Sequence, residues 1–199
     1  STAARLRRNS ETAEIVMFEK GPEISYANCG IPYHIGNVIK ERDNLILVDP
    51  AYFKAILNVD VRINTEVTHI NPQKKTLTAK DLGSGKEYTE QYDALVLSPG
   101  GIPIVPQLPG IDDRRVFTVR NLADMDKIKA YVADEKPRRA LVIGAGFIGL
   151  EMAENLHHLG LSVGIVEQSD QVLGVVDFEI AAGIHQHLKA KQIGLYLKD

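Results

Sequence analysis

The spacing of hydrophobic and polar residues predicts different secondary structure in the two halves of the chain. In the first half, runs that are apolar or that alternate with polar residues predict strands, and two short segments favour helix. The predicted elements are a helix at 1–8, a strand at 14–19, a helix at 51–57 that begins after Asp49 and Pro50, and strands at 59–70, 75–81 and 87–98. We expect the last three to form a small antiparallel element that leads into a central strand at 94–97.

Strands and helices alternate in the second half, which favours a parallel sheet covered by helices. The predicted strands lie at 116–119, 140–143, 162–167 and 193–197, and the predicted helices at 122–134 after the cap Asn121, from the glycine-rich segment to about 159, and at 177–190. Four prolines and three glycines between Pro99 and Gly110 interrupt regular structure between the two halves. We therefore predict two domains, 1–110 and 111–199.

Composition and charge exclude several classes of function. The formal net charge is -3 and the basic residues are dispersed, which argues against a general nucleic-acid partner. The longest apolar stretch, Ala140 to Leu150, has eleven residues and three glycines, whereas a membrane helix needs about 20 residues. We therefore expect no membrane partner. The single cysteine cannot form an internal disulfide, which fits a reducing compartment, so we expect a cytoplasmic location.

A glycine motif in the second half predicts a dinucleotide site. Gly144-x-Gly146-x-x-Gly149 follows a predicted strand and opens a predicted helix, and Glu167 ends the next strand 23 residues after Gly144. The glycines allow a tight turn, approach of a pyrophosphate and close helix packing, and the acid accepts hydrogen bonds from a ribose. A carboxylate would repel a 2′-phosphate, which favours NADH over NADPH. The alternative is an α/β unit with a glycine-rich turn that binds no nucleotide.

The first forty residues resemble the end of a second such unit. Glu19 ends a predicted strand, and a glycine turn about 20 residues earlier would precede Ser1. We therefore expect a fragment that lacks roughly a dozen residues with a first strand and a second glycine motif. Two dinucleotide sites in one chain suggest a flavin and a nicotinamide. The alternative is an ordinary helix at 1–8 and a surface acid at Glu19.

The segment SYANCGIPYHIG, residues 25–36, closely resembles a motif of one branch of the FAD-dependent pyridine nucleotide-disulfide oxidoreductases. That branch contains coenzyme A-disulfide reductases, NADH oxidases and NADH-dependent persulfide reductases. IVMFEK, YDALVLSPGG, FTVRNLADMDKIK and VIGAGFIGLEMAENL are similar to the same branch. The resemblance implies an α/β, three-layer fold of two Rossmann-like domains that bind FAD and NAD, with a small antiparallel β element. It also implies a homodimer and a chain truncated at both ends, and some relatives add a rhodanese domain.

Within this resemblance, Cys29 is the candidate redox nucleophile. Glutathione-reductase-like relatives use Cys-x4-Cys, but His34 stands five residues after Cys29, so the second sulfur must come from outside. Cys29 is expected to attack coenzyme A disulfide, coenzyme A persulfide or polysulfide, and NADH would reset it through the flavin. The alternatives are an NADH oxidase or peroxidase that cycles through a Cys29 sulfenic acid, and a nucleotide-binding module without turnover. We expect Cys29 to begin a helix that favours the thiolate, whereas an isolated cysteine is more often a buried small hydrophobe.

The resemblance also assigns binding residues. Ser1, Arg5, Arg8, Ser25 and Asn28 match substrate positions, and Arg5 and Arg8 share a helix face that could hold coenzyme A phosphates or could simply be solvated. The positions that match cofactor contacts are Glu19, Lys20, Val67, Ser98, Pro99 and Gly100 for FAD, and Gly144, Gly146, Phe147, Ile148, Gly149, Glu151 and Glu167 for the nicotinamide dinucleotide. Phe147 could instead be a core residue and Glu151 a plain helix carboxylate. The histidines have no metal-ligand spacing, so we expect His157, His158, His185 and His187 to be structural and no metal to bind.

Overall fold

A computed structural model describes residues 2–199 and divides them into two compact units. The first unit contains the residues up to Ala27 and Ile46–Gly101, and the second contains Asn28–Leu45 and Ile102–Asp199. The segment around Cys29 therefore belongs to the second unit, although it lies within the first predicted domain. The assignment of 1–110 to FAD and 111–199 to NAD stays a prediction, because compactness does not say which residues bind which nucleotide.

The helices and strands follow one another in a mixed order along the chain. They are α1 (Thr2–Asn9), β1 (Val16–Phe18), β2 (Ser25–Tyr26), α2 (Ile31–Ile35), β3 (Ile46–Val48), α3 (Pro50–Leu57), β4 (Asp60–Arg62), β5 (Thr65–Asn71), β6 (Thr76–Asp81), β7 (Glu87–Gln91), α4 (Leu122–Glu135), β8 (Arg139–Ile143), α5 (Phe147–His158), β9 (Ser162–Glu167), α6 (Phe178–Ala190) and β10 (Gly194–Leu197).

The first unit combines short strand pairs with a three-stranded sheet. β1 pairs with β4 in parallel, β2 pairs with β3 antiparallel, and β5, β6 and β7 form an antiparallel sheet in sequence order. The predicted antiparallel element is therefore confirmed. Ile15, Phe53 and Val59 form a buried apolar cluster in this unit. The Asp49 side chain accepts a hydrogen bond from the Tyr52 N–H at 2.7 Å, which is the predicted start of α3.

Three strand predictions in and beside this unit need correction. The predicted strand 59–70 is divided into β4 and β5 at Asn64, which has a left-handed φ of 50°. The predicted strands 94–97 and 116–119 are wrong, since neither segment pairs with a strand among residues 2–199. An apolar run becomes a strand only where another strand accepts and donates its backbone hydrogen bonds. Val96 and Leu97 are accordingly more than 60% exposed.

Arg7 ties the first helix to the rest of its unit. Its Nε donates to the Leu57 carbonyl at 2.7 Å, and its two terminal nitrogens donate to four more backbone carbonyls, those of Ser10, Glu11, Ala13 and Asn58. Guanidinium groups suit this task because they carry five donors in a fixed plane. The sequence analysis did not identify Arg7.

The second unit is built on a parallel three-stranded sheet in the order β10-β9-β8. This arrangement confirms the predicted parallel sheet. Val163 and Ile165 of β9 are buried, and α5 packs against this strand. Among the described residues 2–199, none of the helices combines the length and the apolar composition that a membrane span requires.

Replacement of Arg7 should destabilise the first unit. Arg7→Ala leaves five carbonyls without their shared donor, so we expect a loss of about 1–3 kcal/mol in the free energy of unfolding, measured in urea. Arg7→Lys should recover only part of this loss, because one ammonium group cannot reach all five oxygens. Arg8→Ala is the matched control on an exposed position of the same helix and should change stability by less than about 0.5 kcal/mol. Equal effects of Arg7→Ala and Arg8→Ala would contradict the assigned role.

Candidate functional site

The glycine turn of the second unit has the geometry of a nucleotide-binding loop. Gly144 has φ of +99°, and its N–H donates to the Val166 carbonyl at 2.8 Å. A Cβ atom on Gly149 would lie 1.9 Å from the Gly144 carbonyl oxygen, so only glycine allows α5 to start so close to β8. A Cβ on Gly146 would meet no atom within 4 Å, which leaves the backbone open on this side.

The start of α5 has donors available for an anion. Gly146 is the N-cap of α5, and it has no side chain that could accept a hydrogen bond from the first turn of the helix. The first-turn N–H groups of a helix have no partners within the helix, and they bind phosphate groups in many nucleotide sites. Phe147 is 64% exposed, and Ile148 is also exposed, so the alternative that Phe147 is a core residue is wrong.

The Glu167 carboxylate is fixed against the glycine turn. Its Oε2 accepts a hydrogen bond from the Ala145 N–H at 2.7 Å, and its Oε1 accepts one from the Ser169 N–H at 2.8 Å. These bonds favour the ionised carboxylate and so hold the pKa of Glu167 below its usual value. The hydrogen bond from the Ala145 N–H makes the largest contribution to this shift. An anionic acceptor thus lies beside the open glycine turn, as the sequence predicts.

Glu19 in the first unit has a related arrangement. It follows β1, a parallel strand, and its Oε1 accepts a hydrogen bond from the Gly21 N–H at 2.8 Å, two residues later. Glu167, the last residue of β9, makes the same contact with Ser169. Two acids in one chain therefore end parallel strands with the same local hydrogen bond, which supports the interpretation of Glu19 as a second nucleotide-binding acid.

The other candidate residues of the first unit have simple surroundings. Arg5 and Arg8 are exposed on α1, and neither has a hydrogen-bond partner among the described residues. Ser1 lies outside the described residues. Lys20 forms an ion pair with Glu66 at 2.8 Å. The remaining positions are Ser25 in β2, Val67 in β5, and Ser98, Pro99 and Gly100 in an exposed segment without regular structure. Their predicted contacts with ligands stay predictions.

Cys29 is a free, exposed cysteine. It lies in a 3-10 turn at Asn28–Gly30, and α2 follows directly with Gly30 as its N-cap. The prediction that Cys29 begins the helix is thus displaced by two residues, because the chain makes a tighter turn before α2. The alternative of a buried hydrophobic cysteine is wrong.

His34 is fixed and buried, and it does not act as a second reactive group beside Cys29. It is 4% exposed, and its Nδ1–H donates to the Ile39 carbonyl at 2.8 Å. The described residues contain no group of three or more His, Cys, Asp or Glu side chains suited to a metal ion. His185 has a structural contact of its own, since its Nε2 accepts a hydrogen bond from the Val172 N–H.

Helices α4 and α5 hold the segment that carries Cys29. A Cβ on Gly36 would lie 2.3 Å from Oδ1 of Asn155, a residue of α5 that is 2% exposed. From α4, the Lys129 ammonium donates to the His34 carbonyl at 2.7 Å and to Oδ1 of Asn37 at 2.8 Å. The sequence analysis missed Lys129 and Asn155, because no local pattern links them to residues about a hundred positions earlier.

Fold and site together define a dinucleotide-binding α/β protein with an exposed thiol on the nucleotide-binding unit. The chain belongs to the pyridine nucleotide-disulphide oxidoreductase family, whose sequence profile matches residues 1–199. A coenzyme A disulfide reductase of Staphylococcus haemolyticus is 34% identical over 197 residues. The match covers 99% of this chain and 44% of that relative, so the chain spans less than half the length of the curated protein.

Three solved structures are similar over almost the whole chain. Reduced Bacillus anthracis CoADR-RHD has a TM-score of 0.97 and 48% identity, and the match covers 99% of this chain and 36% of that one. An NAD-dependent persulfide reductase from A. fulgidus has a TM-score of 0.92 and 35% identity, with 98% and 37% covered. The water-forming NADH oxidase from Lactobacillus brevis has a TM-score of 0.91 and 32% identity, with 99% and 44% covered. These likenesses confirm the predicted family and α/β fold.

Gly149→Ala should abolish the nucleotide site, because its methyl group cannot fit against the Gly144 carbonyl. We expect the affinity for NADH, measured by fluorescence titration, to fall at least about tenfold. Gly183→Ala is the matched control, since a Cβ at this exposed position of α6 would meet no atom within 4 Å. This control should bind NADH normally and be slightly more stable. Normal NADH binding by a folded Gly149→Ala protein would disprove the assignment.

The Glu167 carboxylate should contribute stability that depends on pH. Because the fold lowers its pKa, the contribution is complete at neutral pH and is lost as the pH falls below about 4, the usual titration range of a glutamic acid. The difference in unfolding free energy between the protein and Glu167→Gln should therefore shrink between pH 7 and pH 3. Urea unfolding at a series of pH values measures it, and a constant difference would contradict the role.

Proposed function

We propose that this chain is part of an FAD- and NADH-dependent oxidoreductase that reduces coenzyme A disulfide, coenzyme A persulfide or polysulfide through Cys29. The observation that carries the proposal is the exposed Cys29 thiol on the same compact unit as the glycine turn. The names of the coenzyme A disulfide reductase and persulfide reductase relatives support this substrate class.

The single cysteine requires an external sulfur as its partner. The chain has one cysteine, and the position of a second thiol is taken by the buried His34. The Cys29 thiolate attacks one sulfur of a disulfide RSSR, so that a Cys29–S–S–R bond forms and RS⁻ leaves. With a persulfide RSSH, attack on the sulfur that carries R forms the same mixed disulfide and releases HS⁻. Return of the mixed disulfide to two thiols then needs two electrons and two protons.

The second unit fits a nicotinamide dinucleotide. The open backbone at Gly146 and the uncapped start of α5 suit a pyrophosphate, and the Glu167 carboxylate suits the ribose hydroxyls. Phe147, Ile148 and Glu151 continue this site along α5. In the first unit, Glu19 with its ordered carboxylate would hold a flavin, together with Lys20, Val67 and 98–100. When bound, NADH and FAD supply the electrons for the reduction of the Cys29 mixed disulfide.

Glu167 favours NADH over NADPH. Its lowered pKa keeps the carboxylate ionised at neutral pH, and the residue that follows it, Gln168, brings no positive charge. A 2′-phosphate on the ribose would meet this negative charge.

Arg5 and Arg8 are the proposed contacts to the phosphates of coenzyme A. Both guanidinium groups are exposed on one turn of α1. Ser25 and Asn28 complete the proposed substrate contacts, and Ser1 belongs to the same set. The full-length protein is proposed to be cytoplasmic, since a reducing compartment keeps an exposed thiol available. It is also proposed to be a homodimer, as the family resemblance implies.

A second candidate function is an NADH oxidase or peroxidase. It is favoured by the similarity to the Lactobacillus brevis NADH oxidase and by the exposure of the Cys29 sulfur, which peroxide can reach. In that reaction the thiolate takes one oxygen of hydrogen peroxide, the O–O bond breaks and hydroxide leaves, which gives a sulfenic acid. Two electrons from NADH and two protons then restore the thiol and release the transferred oxygen as water. A nucleotide-binding module without turnover is the third candidate, and bound NADH without bound flavin would support it.

Replacement of Cys29 distinguishes these functions. In the full-length protein without oxygen, Cys29→Ser should lower the NADH-dependent release of thiol from oxidised coenzyme A by more than about a hundredfold, because the nucleophile is lost. NADH binding should be unchanged, because the glycine turn is intact. In a separate assay with oxygen or peroxide supplied, their consumption by the unaltered protein in the absence of thiol release from oxidised coenzyme A would favour the oxidase. Undiminished thiol release by Cys29→Ser would refute the role of the cysteine.

A further inference from the structure

Helix α4 contacts the segment that carries Cys29 at two points. The Lys129 ammonium of α4 bonds to the His34 carbonyl and to the Asn37 side chain, at the end of α2. One turn earlier on α4, Asp126 accepts two hydrogen bonds from Nε of Arg42, at 3.0 and 3.2 Å. Positions 126 and 129 share a helix face, so α4 holds this segment at two points with charges of opposite sign.

Only a short, regular segment of chain separates the Lys129 contacts from Cys29. The 3-10 turn Asn28–Gly30 continues without a break into α2, where a proline occupies the first turn. A helix of five residues is only about 7.5 Å long. Ile31 and Ile35 are both buried, so α2 is packed at its first and at its last residue.

α5 limits the other side of the same helix end. Gly36 lies so close to Asn155 that a single Cβ would clash with its side chain, and Asn155 is itself fixed by a hydrogen bond from Nδ2 to the Glu151 carbonyl. The end of α2 therefore lies between an ammonium group on α4 and an amide on α5. We expect a change at either contact to let α2 tilt, which would move the turn at its other end.

We propose that Lys129 is a positioning residue, which sets the location of the Cys29 sulfur by holding the end of α2. The proposal rests on the proposed function only in that Cys29 is the nucleophile. Lys129 lies far from Cys29 in sequence, and its ammonium donates hydrogen bonds to two groups of the Cys29 segment. Partial burial lowers its pKa, and the carboxylates of Asp126 and Glu41 oppose this shift and favour the charged form.

Two measurements on the same variants test this proposal. Lys129→Met keeps the aliphatic stem but removes the donor, Lys129→Arg keeps a cationic donor, and Lys127→Met is a matched control at an exposed position of α4. In the full-length protein, Lys129→Met should lower kcat for thiol release about 10- to 100-fold, because a displacement of about 1 Å at a reacting atom has an effect of this size. The Kd for NADH should stay unchanged. Lys129→Arg should recover most of the lost kcat, and Lys127→Met should match the unaltered protein.

The rate of Cys29 alkylation by iodoacetamide is the second measurement, and it does not depend on turnover. The modification is followed by mass spectrometry on the peptide that contains Cys29, so the rate reports on this thiol alone. We expect Lys129→Met to differ from Lys127→Met by at least about threefold, as fixed geometry strongly affects reaction rates. If Cys29→Ser retains turnover, the proposed function fails, and alkylation alone then decides the role of Lys129. Equal alkylation rates in the two methionine variants would overturn the proposal.

A milder variant keeps the test decisive if Lys129→Met does not fold. Asn37→Gly removes one of the two acceptors of Lys129, and glycine suits the left-handed φ of 61° at this position. It should lower kcat by a smaller factor in the same direction, with the thermal midpoint measured in parallel. An unchanged kcat and an unchanged alkylation rate in a folded Asn37→Gly protein would count against the proposal.

Discussion

The contact between Gly36 and Asn155 determines where Cys29 can lie in the second unit. Because Gly36 has no side chain, α2 approaches α5 more closely than any other residue would allow. α5 begins at the glycine turn, so the segment with the thiol and the nucleotide-binding loop are attached to the same helix. The short 3-10 turn then leaves Cys29 exposed at the end of a well-packed element.

The second feature on which the account depends is a pair of carboxylates, each held by a backbone hydrogen bond. Glu167 is the last residue of a parallel strand and Glu19 directly follows one, and each accepts a hydrogen bond from the backbone N–H two residues later. Only Glu167 has a described glycine turn beside it, and the bond from the Ala145 N–H joins acid and turn into one site. The repeated arrangement explains why one chain is expected to bind two different dinucleotides.

Local sequence patterns predicted the features that depend on neighbouring residues. The caps Asp49 and Asn121, the glycine turn and its acid, and the antiparallel element of β5 to β7 all appear as expected. The failures concern partners distant in sequence. The apolar runs at 94–97 and 116–119 read as strands, but strand formation depends on a neighbouring strand that the run itself does not reveal. Arg7 contacts a carbonyl 50 residues away and Lys129 one 95 residues away, so neither had a local signal. The ligand contacts of Arg5 and Arg8 stay predictions. The sequence supports them through the family resemblance, and the structure adds only that both side chains are exposed.

The central claim is that the Cys29 thiol forms a mixed disulfide with a small external sulfur compound. Peptide mass spectrometry of the full-length protein, incubated with excess oxidised coenzyme A and no NADH, tests it most directly. The account predicts one coenzyme A attached through a disulfide to the peptide that contains Cys29, and its disappearance once NADH is added. A peptide that stays unmodified, or an adduct that NADH does not remove, would contradict the account.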